Sequence, residues 1–173
     1  MRAVVVVESM FGNTRQVAEA IADGLRPAVE AEVVDVGAAP EEIEPDVGLL
    51  VVGGPTHAFG MSRPTSRAQA LQEAGTHDGS PDVGMREWLE HLGPVGPGVV
   101  TATFDTRMKS RWAGSAAASA SKLLRRRGVQ TTAPSHSFVV TDKPGPLAPG
   151  ELDRARAWGA ELARLAATPA QGA

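Results

Sequence analysis

Residues 3–14, Ala-Val-Val-Val-Val-Glu-Ser-Met-Phe-Gly-Asn-Thr, decide how the rest of this chain is interpreted. The run 3–7 is apolar and mostly β-branched, which is typical of a strand buried on both faces of a parallel sheet. The segment 15–25 follows, and Val17 and Ile21 begin an apolar stripe with helical spacing along it. The predicted order is therefore a strand, a short polar turn and a helix.

The polar turn, residues 9–14, predicts an anion-binding site. The first N–H groups of a helix have no partners within the helix, and the helix dipole adds positive potential there. Ser9, Asn13 and Thr14 add side-chain donors, which suit a phosphate monoester. The turn has a single glycine, Gly12, and no lysine, so it matches neither the G-x-G-x-x-G nor the G-x-x-x-x-G-K-[ST] loop. It favours a cofactor phosphate held without charge neutralisation over a triphosphate with magnesium. An ordinary helix start, which uses the same residue types, stays open as the alternative.

The composition of the chain limits the class of protein. Its 173 residues fit one domain, expected over residues 1–167, with a disordered tail at 168–173. The absence of Cys excludes disulfides, iron–sulfur clusters and thiol catalysis. The net charge of −3 gives no reason to expect nucleic acid as a partner. No apolar run approaches the ~20 residues of a membrane span, and the N-terminus does not resemble a signal peptide, so we expect a cytoplasmic protein.

Strand-like and helix-like runs alternate along the rest of the chain. The predicted strands are 32–36, 47–52, 99–104 and 135–140, and the predicted helices are 85–92, 114–127 and 151–166. This alternation predicts an α/β protein with a parallel sheet covered by helices on both faces. Ligands of such sheets bind at the carboxyl ends of the strands, so the loops 9–14, 53–67 and 105–112 form the candidate site.

One long connection, residues 62–82, lies beside this candidate site. Ser66 and Gln69 are spaced as a capping box, and residues 67–74 could form two helical turns that end at Gly75. A long loop next to a site is often a lid, but a variable surface insertion would have the same appearance. Both interpretations stay open.

Two motifs resemble those of the flavodoxin family. The turn Ser9-Met10-Phe11-Gly12-Asn13-Thr14 is similar to the family's phosphate loop, [ST]-x-[ST]-G-x-[ST], with Ser9, Gly12 and Thr14 as matches and Met10 interpreted as an apolar replacement of the central hydroxyl residue. The second motif, Gly53-Gly54-Pro55-Thr56-His57-Ala58-Phe59-Gly60, follows the third strand, as it does in the family. The resemblance implies a flavodoxin-like, doubly wound α/β fold with a five-stranded parallel sheet in the order 2-1-3-4-5. It also implies FMN as the cofactor.

The resemblance further implies which residues contact FMN, and it implies neither a catalytic side chain nor a metal ligand. The phosphate is expected at Ser9, Met10 (mainly through its N–H), Phe11, Gly12, Asn13 and Thr14; the ring is expected along Pro55, Thr56, His57, Ala58, Phe59 and Gly60; and the pyrimidine end is expected at Phe104, Asp105, Thr106 and Arg107.

The third loop lacks the family's usual glycine and stacking tyrosine, since the chain has no Tyr. Phe59 is the expected substitute for stacking on the ring, with Trp112 as the alternative. His57 either contacts the flavin or substrate, where it would titrate near neutral pH, or hydrogen-bonds a neighbouring loop.

Five cationic residues on two of the site loops predict a basic rim: Arg63, Arg67, Arg107, Lys109 and Arg111. The function expected first is an FMN-binding redox protein that transfers electrons to a protein partner or a small acceptor. The alternatives are an NAD(P)H-dependent quinone-type reductase and a flavin-free binding module on the same fold. A basic rim favours an acidic partner, a nicotinamide phosphate or another anionic substrate.

Overall fold

A computed structural model describes residues 1–57, 60–75, 80–109 and 114–168. The elements follow in the order β1 (Arg2–Val7), α1 (Asn13–Leu25), β2 (Glu30–Asp35), β3 (Val47–Pro55), α2 (Pro64–Ala74), α3 (Met85–His91), β4 (Val100–Met108), α4 (Ala116–Arg126), β5 (His136–Val140) and α5 (Glu151–Ala167). Of the predicted tail, only Thr168 is within the described residues, so the prediction of disorder at 169–173 lies outside them.

The strands form one five-stranded parallel sheet in the order β2-β1-β3-β4-β5, which confirms the predicted fold class. Side chains alternate across the sheet, as strand geometry requires. Val5 and Val51 pack on one face with α1 and α5, while Val6 and Leu50 pack on the other with α3 and α4. Helices therefore cover both faces, and the β-branched run of β1 is buried on both sides.

The two helices on the first face approach each other closely enough to require glycine. A Cβ atom on Gly24 of α1 would lie 2.1 Å from the carbonyl oxygen of Arg156, and one on Gly159 of α5 would lie 2.2 Å from that of Ile21. Neither distance is possible for a real side chain, so the pair of glycines fixes how α5 packs on α1. The N-terminus of α1 lies at the carboxyl edge of the sheet because the helix begins shortly after the carboxyl end of β1.

The third and fourth strands are longer than the sequence predicts. β3 and β4 stay paired as far as Pro55 and Thr106, because Gly53 leaves room for the ring of Phe104. A Cβ on Gly53 would lie 2.1 Å from that ring. The predicted start of the third loop at residue 105 is therefore wrong, since β4 runs on to Met108 and pairs there with β5.

The connection 62–82 contains α2, which begins three residues earlier than predicted. Arg63 is the N-cap, and its N–H donates to Ser66 Oγ over 3.0 Å. The predicted capping box of Ser66 with Gln69 is wrong, because Gln69 instead donates to Glu73. The predicted end is correct, since Gly75 adopts the left-handed conformation that stops the helix (φ 64°).

Candidate functional site

A cavity of about 440 Å³ opens at the carboxyl ends of β1, β3, β4 and β5. Its volume is within the range of small-molecule sites. The structure brings together many residues that the sequence predicted as cofactor contacts: Met10, Phe11, Asn13, Thr14, Pro55, Thr56, His57, Thr106 and Arg107. Other lining residues were not predicted as cofactor contacts: Met61, Arg63, Thr65, Ser66, Met108, Val140 and Lys143. Ala58 and Phe59, and with Phe59 the expected stacking on the ring, lie outside the described residues, as does Trp112.

The N-terminus of α1 opens into this cavity, and its N-cap residue has no side chain to cap the helix. Its N-cap is Gly12, in the left-handed conformation with φ 85°, and no acidic residue lies in the first turn. Asn13 and Thr14 line the cavity although they are only 7 % and 2 % exposed. The first turn therefore forms part of the cavity wall, where the positive end of the helix dipole favours an anion.

Ser9 has a different place from the one predicted. It does not line the cavity; its Oγ accepts a hydrogen bond from the N–H of Arg15 over 3.3 Å. Ser9 is thus the hydrogen-bond partner of one of the first N–H groups of α1 and stabilises the turn.

Side-chain contacts fix the first turn of α1 to β4 and to the connection after β5. The hydroxyls of Thr14 and Thr106 are 2.7 Å apart, which ties α1 to β4. Asn13 Nδ2 donates to the carbonyl oxygen of Pro144, over 3.1 Å, on the connection after β5. A hydroxyl can accept one hydrogen bond while donating another, so Thr14 keeps a donor for a ligand if Thr106 donates to it.

The loop after β3 folds back on itself at His57 and Gly60, which exchange two backbone hydrogen bonds of 2.9 and 3.0 Å. Gly60 does not line the cavity, whereas the half-buried ring of His57 does. Burial lowers the pKa of His57, and the positive charges of Lys143 and Arg67 lower it further. The imidazole of His57 is therefore in its neutral form at neutral pH, with one hydrogen-bond donor and one acceptor.

Phe104 and Asp105 are corrections to the predicted set of cofactor contacts. Both are fully buried and neither lines the cavity. The ring of Phe104 packs edge-on against Phe138 and Trp158 in the core. Asp105 Oδ2 accepts hydrogen bonds from Ser115 Oγ at 2.6 Å and from the N–H of Ala117 at 3.0 Å, so it anchors the start of α4. Thr56 donates to the same oxygen over 3.1 Å.

The cavity is cationic. Arg63, Arg107 and Lys143 line it, and none of the described lining residues is Asp or Glu. Arg63 is exposed, while Arg107 is half-buried and donates to the carbonyl oxygen of Gly114. Lys109 is exposed and lies outside the lining. The predicted basic rim therefore exists in part, with Lys143 added from a loop that sequence reasoning did not consider; Arg111 lies outside the described residues.

Arg67 is not part of the rim, contrary to prediction, because it is buried. Only 1 % of it is exposed, and its guanidinium donates to Ser62 Oγ, to the carbonyl oxygens of Pro81 and Asp82, and to Glu87 at 2.9 Å. These contacts hold α2 to the segment that leads into α3. Because these contacts hold α2 in place, the helix is a fixed part of the cavity wall. This argues against the lid interpretation.

Glu8, which directly follows β1, joins the same network. Its carboxylate accepts from Ser62 Oγ and, over 2.7 Å, from the N–H of Met85. Burial raises the pKa of Glu8. The buried network Glu8–Ser62–Arg67–Glu87, called here the Arg67 network, thus connects the strand before the polar turn to α2 and α3. Sequence reasoning missed it because its members lie far apart along the chain.

The apolar residues of the polar turn are explained by α2. Met10 packs with Ala70 and Leu71 of α2, and Phe11 packs against the same cluster. The interpretation of Met10 as the central hydroxyl position is wrong, because alignment on Ser9 and Gly12 puts Phe11 there. The apolar side chain at that position packs towards α2.

No family model and no curated protein matches the sequence. Solved structures do match. A flavodoxin from the domain Archaea is 21 % identical with a TM-score of 0.62, and the match covers 97 % of this chain and 100 % of that one. A flavodoxin from Streptococcus pneumoniae TIGR4 is 16 % identical, with a TM-score of 0.63 over 95 % and 99 % of the two chains. Flavodoxin 2 from Bacillus cereus is 13 % identical, with the same TM-score and coverage.

The protein therefore has the flavodoxin-like fold, and the resemblance predicted from two short motifs is confirmed at the level of the fold. At these identities the likeness carries the fold alone. Within the described ranges, no helix is long and apolar enough to cross a membrane. The same ranges contain no group of three or more His, Asp or Glu residues that could hold a metal ion.

Proposed function

We propose that this protein binds FMN in the cavity at the carboxyl edge of its sheet and transfers electrons through it. The observation that carries the proposal is the N-terminus of α1, whose N-cap Gly12 has no side chain and which opens, between β1 and β3, into a cavity of about 440 Å³. The strand order reverses at this point, where ligands of open α/β sheets bind. When bound, the flavin supplies the electron chemistry, and the protein supplies binding, orientation and electrostatics.

The phosphate of FMN fits the first turn of α1. Its oxygens accept only, and the N–H groups of residues 10–14 together with the Thr14 hydroxyl are donors. We propose that Thr106 donates to Thr14, so that the proton of Thr14 is directed to the phosphate. Ser9 leaves the proposed contact set, because its Oγ serves the N–H of Arg15.

The remaining walls of the cavity fit an apolar ring with polar edges. Met61, Met108 and Val140 provide apolar surface, while Thr56 and His57 provide polar atoms. We propose that the loop 55–60 runs along the flavin ring, with Phe59 stacked on it, and that Thr106 and Arg107 lie at the pyrimidine end. Neutral His57 can donate to or accept from a ring atom without adding charge.

A single reconstitution experiment tests the proposal. The purified protein is incubated with excess FMN, desalted and examined for visible absorption, and flavin fluorescence quenching gives the dissociation constant. We expect a yellow protein that binds FMN more tightly than riboflavin and does not retain FAD. A protein that stays colourless and quenches no fluorescence would favour a flavin-free binding module on the same fold.

One observation favours a reductase as a second candidate. The cavity has three cationic lining residues and no described carboxylate, so it attracts an anionic substrate such as a nicotinamide nucleotide. The FMN-loaded protein is mixed with NADH or NADPH in the presence of a quinone. Turnover would assign a reductase, and flavin that is reduced only by a partner protein would assign an electron-transfer protein.

A further inference from the structure

The connection between β5 and α5 brings a lysine to the start of α1. Lys143 lines the cavity together with Asn13 and Thr14. The next residue, Pro144, accepts a hydrogen bond from Asn13 Nδ2 over 3.1 Å. Gly145 lies against the same side chain, since a Cβ there would be 2.5 Å from Asn13 Oδ1. Its φ of 103° also requires glycine. The connection is therefore packed directly on the first turn of α1.

The charge of Lys143 is available to a ligand. Its Nζ lies 2.5 Å from Glu73 Oε2 at the far end of α2, and its side chain is 52 % exposed. Exposed ion pairs of this kind are weak. The only other carboxylate on the connection, Asp142, accepts from the backbone N–H of Lys143 over 2.7 Å. An ammonium group has three donors, so Nζ can contact Glu73 and a second anion together.

We propose that Lys143 is the counter-ion of the cofactor phosphate, an inference that rests on the proposed binding of FMN. The polar turn provides neutral donors only, and its sequence favours a phosphate held without charge neutralisation. The structure supplies the missing positive charge from a loop about 130 residues away. Bound phosphate then connects α1 to α2 through Lys143 and Glu73.

A structural role for Lys143 makes a different prediction. If the ion pair with Glu73 only fixes the β5–α5 connection, removal of either partner harms the cavity as a whole, and FMN and riboflavin lose affinity alike. If Lys143 binds the phosphate, its removal affects FMN alone. Removal of Glu73, which competes for the same ammonium group, then leaves FMN affinity unchanged or increases it.

The test is a titration of the apoprotein with FMN and with riboflavin at low and at high ionic strength. The variants are Lys143→Gln, Lys143→Arg and Glu73→Gln, with Lys122→Gln, an exposed residue of α4, as the matched control. We expect Lys143→Gln to weaken FMN about tenfold or more and riboflavin less than about twofold, since a charge-assisted hydrogen bond is lost. The salt dependence of FMN binding should fall in the same variant, and Lys143→Arg should retain most of the affinity.

Each outcome decides between the possibilities. Equal losses for both ligands, or equal losses in Lys143→Gln and Glu73→Gln, would overturn the assignment and leave the proposed FMN site in place. Unchanged FMN affinity in Lys143→Gln would also overturn it. A wild-type protein that binds no FMN would overturn the assignment together with the proposed function. Thermal unfolding of the apoproteins checks that the variants fold.

Discussion

Two helices begin at the same cavity, and they begin in different ways. At α1 the N-cap is Gly12, which has no side chain, and Ser9 accepts only from the N–H of Arg15, so no described residue accepts from the N–H groups of Asn13 and Thr14. At α2 Ser66 accepts from the N–H of the N-cap Arg63, and Pro64 has no N–H. The start of α1 is therefore open for a ligand. That of α2 is partly closed by its own residues, and the helix is held in place by the Arg67 network.

This difference separates two roles that a helix N-terminus can have. Both starts carry hydroxyl side chains that line the cavity, Thr14 on α1 and Thr65 and Ser66 on α2. Residue type alone does not distinguish them; what distinguishes them is that the N-cap N–H of α2 already has a partner in Ser66 and that α2 is held by the Arg67 network. We therefore expect substitutions at the start of α1 to affect binding and substitutions around α2 to affect stability.

The largest effect is expected from breaking the Arg67 network. Arg67→Met removes the ionic partner of Glu87 and the donors to two carbonyl oxygens and to Ser62. Breaking a fully buried ion pair typically costs about 3–5 kcal/mol of unfolding free energy, and because the Glu87 side chain is 24 % exposed we expect a loss near the lower end of this range. Urea unfolding of the apoprotein measures the loss, with Arg126→Met on the exposed end of α4 as the control. A loss as small as that of the control would show that the network does not hold α2 in place.

The next effect should appear in binding. Thr14→Val keeps the shape of the side chain but removes the hydroxyl proposed to donate to the phosphate. We expect it to weaken FMN by roughly 1.5–3 kcal/mol, the range for hydrogen bonds to charged groups, and to weaken riboflavin much less. Ser66→Ala is the matched change on α2, and it should leave the affinities for FMN and for riboflavin unchanged. Similar behaviour of the two variants would contradict the distinction between an open and a closed helix start.

The open start of α1 could be predicted from the sequence, whereas the fastening of α2 could not. The polar turn directly follows a strand-like run and precedes a helical one, so local pattern is enough. Glu8, Ser62, Arg67 and Glu87 interact only after the sheet has formed, and nothing in their spacing shows it. Arg67 consequently looked like an exposed rim residue. Lys143 was missed for the same reason, because its connection is brought to the cavity by contacts with residues distant in sequence, Asn13 and Glu73.

The strand ends show a similar limit. Gly53 and Gly54 usually indicate a turn, and the predicted third strand ended before them. In the structure Gly53 continues β3 because its missing side chain leaves room for Phe104. A packing requirement between neighbouring strands thus overrode the local preference. Phe104 and Asp105, which the sequence analysis expected at the site, are therefore buried in the structure.

A smaller effect is expected from the pH dependence of stability. The pKa of Glu8 in the folded protein is raised above its ordinary value of 4.5, mainly by burial. Between these two values the folded state binds more protons than the unfolded state, so the unfolding free energy falls as pH rises through that window. A single titrating group changes the unfolding free energy by at most about 1.4 kcal/mol per pH unit. In Glu8→Gln the decrease in unfolding free energy that Glu8 causes as pH rises should disappear. The control Glu41→Gln, on an exposed loop, should retain this decrease. Urea unfolding from pH 4 upward measures both variants.

The smallest effect concerns the two cationic residues that line the cavity without a carboxylate partner among the described residues, Arg63 and Arg107. Fully reduced flavin is an anion at neutral pH, so nearby positive charge favours it over less reduced forms. Replacing both residues with Gln should therefore make the second one-electron potential of bound FMN more negative. Solvent screens exposed charges, so a shift on the order of 10–50 mV is expected. Spectroelectrochemical titration at low and high salt measures this shift in potential, with Lys109→Gln and Lys122→Gln as controls for charge outside the lining.

A shift in potential that survives high salt would indicate that the two guanidinium groups lie closer to the ring than their exposure suggests. No shift at low salt would place the basic lining away from the flavin and would remove the support for a two-electron reductase.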